Sequence, residues 1–534
     1  MDILDILLAK AITPEGQAAS AASAAQQAAR EAKEAAESIV IPEISIEKEN
    51  TDNFTSNTVT FGENNATYKN YKTFGENEDG SMTQKAIKNF VEESVQKSEK
   101  PNYGTDNAGS VVVVDDDGSA TNSTIEEKDI ILTQIAAGTY HPIDAISVEI
   151  DYENKTSSKS GIVDNPIYNK IQRCIVDDNG EIIAFYGDSY YEDEFSTGYQ
   201  TMIYIPKFYY FRAPLKVENN KIKKECLYIS EIKQAGFKVH PIFINEEGKE
   251  VDYFLYSAYE GSVFDVSANS YNRTDRAGVD FENDKLSSII EAKPISGQNN
   301  DLTIANAKKL AQNRGQGWNI TSIEAESAVQ MLMLAEFGVY DIQSVVESGI
   351  SNLEYSSHNG ASYTGSTKNL GNLTGAADST INEIDGIDTI YSAPGYRAVS
   401  YRGIENFWGN IWRFIDNIEI KGDGDGTGTP YIHNNPVSFN VPNTSNWVSA
   451  LGYDEEYDWL FMPAEAIGAN STLPIGDFIW TSSNFNGTNV CALGGKWSFK
   501  ESNGAFFYSI DKANTYSGGA FSARIMYVPT SIGG

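Results

Sequence analysis

Between Ile479 and Pro529 the chain is dense in Trp, Tyr, Phe, Asn, Ser and Lys. Trp480, Asn484, Asn486, Trp497, Phe499, Tyr508, Asn514 and Tyr516 are the types that give rigid amphipathic contacts and adaptable hydrogen bonds. The chemistry they suit is reversible binding. Covalent or redox chemistry has thinner support. The three cysteines, Cys174, Cys226 and Cys491, are odd in number and far apart, with no CxxC pair. Neither a disulfide framework nor a zinc site is indicated, and Cys491 suits a small buried hydrophobe. The four histidines (His141, His240, His358 and His433) are scattered. With 74 Asp and Glu, carboxylate pairs for glycoside hydrolysis can be drawn everywhere, so none is singled out. The loop KGDGDGTGTP at 421–430 offers Asp423 and Asp425 to calcium, against a solvated turn whose glycines take positive φ. The expectation is no catalytic residue, no resident metal and no cofactor, with calcium weighed at that loop and at the acidic turn Asp115–Asp117.

Several elements must position these side chains. Tyr401–Asp416, YRGIENFWGNIWRFID, packs two Trp, two Phe and two Arg beside Gly and Asn turn formers. Trp408 and Trp412 are expected in the core, with Arg402 and Glu405 bracing the turn through an ion pair and backbone hydrogen bonds. Cys174–Ile183 reads as a hairpin turning at Asn179-Gly180. Thr201–Phe211 is an aromatic strand interrupted by Pro206, hence an edge or a bulge. Gly236–Phe243 and Asp252–Gly261 follow as short strands. Two helices are expected, one from Thr303 to Gly315 and one from Thr321 or Ser322 to Gly338, with Ile323, Val329, Leu332, Met333, Leu334 and Phe337 on the buried face. Residues 339–400, rich in Gly, Ser and Thr, read as a long surface loop wrapping the core.

The RGxENxWGN turn followed by GNIW resembles the core of C-type-lectin-like domains, as in formylglycine-generating-enzyme-like proteins and phage receptor-binding proteins. Gly494-Gly495-Lys496-Trp497 and Phe521–Tyr527 stand where that family has "GG.W" and a terminal strand; here Ala523-Arg524 replaces the usual Gly-Phe-Arg. The ordered series of an IPKFYY strand, a GFKVHPIF segment and a YSAYEG strand resembles phage structural proteins carrying this module. The resemblance implies one or two helices on a curled sheet, with recognition by the loops between Trp480 and Tyr516. Formylglycine-generating enzymes of this fold use a pair of cysteines near the C-terminus. Cys491 stands alone in that block, so the oxidative branch is disfavoured.

The N-terminal part has another character. Ile3, Leu4, Ile6, Leu7 and Leu8 cannot all hide on one short helix, and they read as an anchoring peptide at 1–16. Ala18, Ala21, Ala25, Ala28, Ala32, Ala35 and Ile39 form an a/d seam over 17–39, an Ala-rich coiled coil; a lone linker helix is the alternative. Residues 40–164 are polar, with short strands such as Thr58–Phe61 and Val111–Val114 and a capped helix after Ser81 or Thr83. Within them Gly80–Ile87, GSMTQKAI, resembles segments of phage tail-fibre shafts.

A formal charge of −34 disfavours nucleic acid as a partner. No run of 18 apolar residues occurs and MDILDILLAK lacks a basic leader, so neither membrane insertion nor a secretory signal is expected. The fold class expected is α+β: a trimeric Ala-rich coiled coil, a polar shaft and a C-type-lectin-like domain over 165–534. The corresponding role is a phage fibre, assembled as a homotrimer on other virion proteins in the host cytoplasm. Its target would be a bacterial surface glycan or protein. A structural head or tail decoration and a carbohydrate-active or oxidative enzyme are the alternatives.

Overall fold

The computed structural model describes residues 127–530, except 162–164, 192–197, 355–358, 385–386, 425 and 469–476, together with the backbone of short strands upstream. The chain divides into two units, Met1–Thr139 and Tyr140–Gly534. In the first, Ser45–Lys48, Asn57–Phe61 and Ala66–Thr67 form an antiparallel sheet, and Ser110–Val114 pairs with Ala120–Thr124. A helix follows at Glu127–Ala136. The strands expected near Thr58 and Val111 are therefore present. The anchor residues Ile3, Leu4, Ile6, Leu7 and Leu8, the coiled coil at 17–39 and the helix after Ser81 lie outside the described residues.

The second unit is mixed α+β, and none of its described sheets closes on itself. Its first strands, Ile146–Asp151 and Thr156–Ser160, join the sheet built on Tyr209–Glu218 and Lys221–Ser230, whereas the sequence reading runs the shaft to residue 164. A six-stranded sheet runs in the order Trp318–Ile320, Ile525–Tyr527, Tyr253–Ser257, Gln200–Pro206, Gln172–Val176, Ile182–Phe185. The hairpin expected at Cys174–Ile183 is its outer pair, turned by Gly180 at φ +81° while Asp177 accepts from the amides of Asn179 and Glu181.

One expectation fails here. Gln200–Pro206 is a central strand rather than an edge, paired with Gln172–Val176 on one side and Tyr253–Ser257 on the other. Pro206 is tolerated because it is the last residue of the strand, where a missing N–H interrupts little of the ladder. The chain then passes into a different sheet at Tyr209.

The third sheet carries the C-terminal residues. Its labelled members are β1 (Trp412–Asp423), β2 (Phe478–Trp480), β3 (Asn486–Leu493) and β4 (Tyr508–Ala513), with β1 beside β3, β3 beside β4, and β4 parallel to β2. Two helices support it. Helix α1 (Ile304–Gln312) is capped by the Thr303 hydroxyl and buries Ala307, Leu310 and Ala311. Helix α2 (Ile323–Phe337) is capped by Ser322 and stopped by Gly338 in the left-handed region.

Helix α2 is more deeply sunk than its apolar face suggests: 13 of its 15 residues are buried, among them Glu324, Glu326, Ser327 and Gln330. Each of these side chains has a partner, although Gln330 Oε1 accepts no hydrogen bond. Ser327 donates to the Trp459 carbonyl at 2.5 Å and Gln330 to the Ala505 carbonyl at 2.8 Å. Glu326 receives Arg413 in a two-point ion pair. A helix can be buried all round when nearly all of its polar atoms are paired.

Residues 339–400 also depart from the surface-loop reading. Asn359, Ser362, Thr364 and Thr367 are buried, and Thr364 Oγ1 donates to the Ile289 carbonyl at 2.7 Å. Polar composition suggests a loop, but hydroxyls with partners pack inside.

Candidate functional site

The aromatic turn at Tyr401–Asp416 is structural. Trp408 and Trp412 are core residues. Arg402 forms a two-point pair with Glu336 on α2, at 2.8 and 2.7 Å, and its guanidinium lies 4.6 Å from the Tyr168 ring centroid. Glu405 accepts from the Gly365 and Thr367 amides and from the Thr367 hydroxyl. Its carboxyl is pushed above the usual range, first by burial and then by Glu260. Arg524, at the position where Ala523-Arg524 departs from the family pattern, donates to the Glu405 and Asn406 carbonyls. Both expected braces are present, each with a partner that spacing alone does not identify.

The aromatic and amide residues named from the sequence separate into groups. Trp497 is only 2% exposed and Tyr508 is fully buried. These two line the core rather than a binding face. A side chain added at Gly360 would strike the Trp497 indole, which shows how closely that ring is caged. Trp480, Asn484, Asn486 and Asn514 are exposed, and Phe499 and Tyr516 are partly so. Asn484 and Asn486 stand at the start of β3, beside the 421–428 loop through the Gly424 amide, which donates to the Phe485 carbonyl at 2.7 Å. The side chain of Asp423 and all of Asp425 lie outside the described residues, so the calcium expectation falls outside them too.

Trp480 and Phe499 meet. Their rings are 5.5 Å apart at an interplanar angle of 20°, and Phe499 in turn stands edge-on to Trp412 at 6.0 Å. The stacking continues inward from Trp412 to Phe521, and Tyr516 stands edge-on to Phe521. Trp480 thus stands at the outer end of an aromatic series rooted in the core, yet is 41% exposed. Its indole N–H donates to Asp511 Oδ2 at 3.2 Å, which fixes the ring edge as well as one face.

Charged residues that sequence reasoning did not single out complete this surface. Asp511 also pairs with Lys512 at 2.5 Å and accepts from the Ser509 hydroxyl. Lys512 Nζ lies 5.2 Å from the Tyr516 ring centroid. Lys496 Nζ lies 4.6 Å from the Phe499 centroid and 5.7 Å from that of Trp497. Burial, and then the charge of Lys512, hold the Lys496 ammonium below the usual lysine range.

The Lys496 main chain is held by one buried side chain. Its amide donates to Asn503 Oδ1 at 2.8 Å, and its carbonyl accepts from Asn503 Nδ2 at 2.8 Å. Gly495 takes φ +89°, and a Cβ there would lie 1.8 Å from Asn503 Oδ1. Glycine is thus required by backbone conformation and by close approach together.

Asn514 belongs to a different concavity, a cleft of about 510 Å³ between the start of α1, the Tyr431–Asn434 turn and a bulge of β1. The bulge arises because Ile415 pairs with Cys491 while Glu419 pairs with Val490, so Asp416–Ile418 loop out of the ladder. Lys308 meets Asp416 at 2.7 Å and His433 meets Glu324 at 2.7 Å. The hydrogen bond to Glu324 raises the His433 imidazole above its ordinary value. These charges satisfy one another.

The three cysteines are buried, and burial pushes the Cys491 thiol up, away from thiolate chemistry. Among the described residues no group of three or more His, Cys, Asp or Glu is placed to hold a metal ion, and no helix is long and apolar enough to cross a membrane.

Neither a protein-family model nor a curated protein sequence matches the chain. Among solved structures there is a remote likeness to the Major Tropism Determinant P3c variant, at 11% identity and a TM-score of 0.24, over 67% of this chain and 72% of that one. The U1 and I1 variants match over the same shares, at 11% and 10% identity with TM-scores of 0.22 and 0.23. Superpositions this loose do not transfer a site, so the functional reading rests on the residues themselves.

Proposed function

We propose that this chain is a phage virion fibre protein whose C-terminal unit, a C-type-lectin-like head, binds a bacterial surface receptor without catalysis. The observation that carries the reading is the exposed Trp480, pre-stacked on Phe499 and tied at its edge to Asp511. A large ring held rigid at the surface costs a protein solvation and returns affinity when a partner covers it. Two helices against open, aromatic-rich sheets and the GGKW turn around Lys496 agree with the lectin-like resemblance in the sequence. The anchor at 1–16 and the seam at 17–39 complete the fibre plan as a homotrimer, in which several weak contacts add avidity.

The test is competition. Purified full-length protein added in excess should slow adsorption of the phage to its host. Unchanged adsorption at saturating protein would reject receptor binding.

A structural decoration role is the second reading, and one feature favours it. The hairpin Thr380–Ile384/Ile387–Tyr391 is a two-stranded sheet that exposes Ile381, Ile387 and Ile390. A neighbouring virion protein would cover such a face. In that case hairpin substitutions would disturb particle assembly, whereas Trp480 substitutions would leave adsorption intact.

A further inference from the structure

Beside the exposed indole stands a cation without a counter-charge. Lys512 has Asp511, but among the described residues no carboxylate pairs with Lys496. Asp511 is not free to serve it: Oδ1 accepts from Ser509, and Oδ2 accepts from Trp480 and Lys512. Two lysines therefore stand at this spot with one carboxylate, paired to Lys512, in a chain whose formal charge is −34. Such a cationic point is unusual on an acidic protein. Half-burying an ammonium against aromatic rings costs solvation that an anion would restore. The Asn503 clamp spends buried hydrogen bonds on holding the Lys496 backbone at this place.

We propose that the surface formed by Trp480, Phe499, Lys496 and Lys512 takes an acidic saccharide: the apolar face of a sugar ring lies on the open face of Trp480, and the sugar's carboxylate or phosphate pairs with Lys496. Phe499 already occupies one indole face, so one face remains for a planar apolar partner. The ammonium supplies the charge-assisted hydrogen bond that discriminates acidic from neutral sugars. This inference rests on the receptor-binding reading and narrows it from glycan or protein to an anionic glycan.

The experiment titrates full-length protein with matched oligosaccharides, one neutral, one bearing uronate carboxylates and one bearing phosphodiesters, followed by tryptophan fluorescence and calorimetry. The acidic members should bind about tenfold more tightly than the neutral one, the scale of one charge-assisted hydrogen bond. The carboxylate and phosphate arms identify which anion the site prefers. Lys496→Gln should erase the difference without lowering the melting temperature. The acidic preference should also weaken as salt rises from about 50 to about 500 mM. Equal affinity for neutral and acidic sugars, or an unchanged preference in Lys496→Gln, would overturn the inference. So would host adsorption that survives periodate oxidation of the cells but not protease treatment, which marks a protein receptor. If wild-type protein blocks adsorption and Lys496→Gln protein blocks equally well, the receptor reading stands and the acidic saccharide falls. If wild-type protein fails to block at saturation, the receptor reading itself falls.

Discussion

Arg413 on β1 and Glu326 on α2 meet in a two-point ion pair, at 3.0 and 2.7 Å, with 3% and 0% of their side chains exposed. Arg413 also donates to the Phe407 carbonyl at 2.7 Å, and Tyr256 donates to Glu326 at 2.9 Å. The pair fastens the buried helix to the sheet that carries the terminal loops. Removing one partner strands a buried charge. Glu326→Ala should cost about 3–5 kcal/mol, read as a lower midpoint in denaturant unfolding. A loss under about 1 kcal/mol, the scale of exposed pairs, would show that water reaches Arg413.

Trp480 should separate binding from folding. Its side chain is half-exposed, so Trp480→Ala is expected to change stability by less than about 1 kcal/mol. The ability of the protein to compete for host adsorption should fall about 30-fold or more, as for a central aromatic anchor. Phe499→Ala removes the ring beneath and should give an intermediate loss, with Trp480 fluorescence becoming less polarised.

Gly495→Ala tests the clamp. The added methyl meets Asn503 Oδ1 and the φ of +89° is strained for alanine. A loss of about 1–3 kcal/mol is expected from the strain. Receptor competition should fall with it, because Lys496 is released from its place. Full stability together with full competition would mean that the backbone there is freely adaptable.

His240 should make stability fall in acid. It is buried among the rings of Phe208, Tyr210, Phe243 and Trp459, and burial lowers its imidazole to about 3. In the unfolded chain the group titrates near its ordinary value of about 6.5. Between these values the unfolded state binds more protons. The stability contributed by the neutral ring is thus present above about 6.5 and lost as pH falls towards about 3. His240→Asn retains an acceptor for the Ile242 amide and removes the titration. Denaturant unfolding from pH 8 to pH 4 should show a flatter acid limb in the variant, on a lower baseline from lost ring packing.

Thiol reagents offer a simpler check on the burial of the three cysteines. Cys174, Cys226 and Cys491 are buried, and burial raises each thiol. Native protein should be unreactive until denaturant is added. Fast labelling of Cys491 in the folded state would contradict its place in the core.

The elements were more legible than the surface they build. Thr303, Ser322 and Gly338 mark the helix ends directly, because caps are local chemistry written in single residues. The aromatic turn around Trp408 and Trp412 announces a core for the same reason. Pro206 misleads, since a strand's neighbours are fixed by distant segments such as Gln172–Val176 and Tyr253–Ser257. Trp497 and Tyr508 share the composition of a binding loop with Trp480 and Phe499, yet only the latter pair reaches the surface. Which way a ring faces depends on the cage supplied by Gly360 and on strand pairing, and neither is adjacent in sequence. Lys496 passes unnoticed because its significance is that no carboxylate among the described residues pairs with it, which only three dimensions reveal.

Asn503 grips Lys496 solely through main-chain atoms. Whatever side chain stands at position 496 would be presented from the same socket, with the same backbone posture. The side chain at 496 can therefore be exchanged without rebuilding the frame that holds it. Substitution at 496 changes which side chain is presented, whereas substitution at 503 removes the hydrogen bonds that present it. In the receptor-binding role proposed above, this arrangement supplies a position free to vary, secured by one that is not.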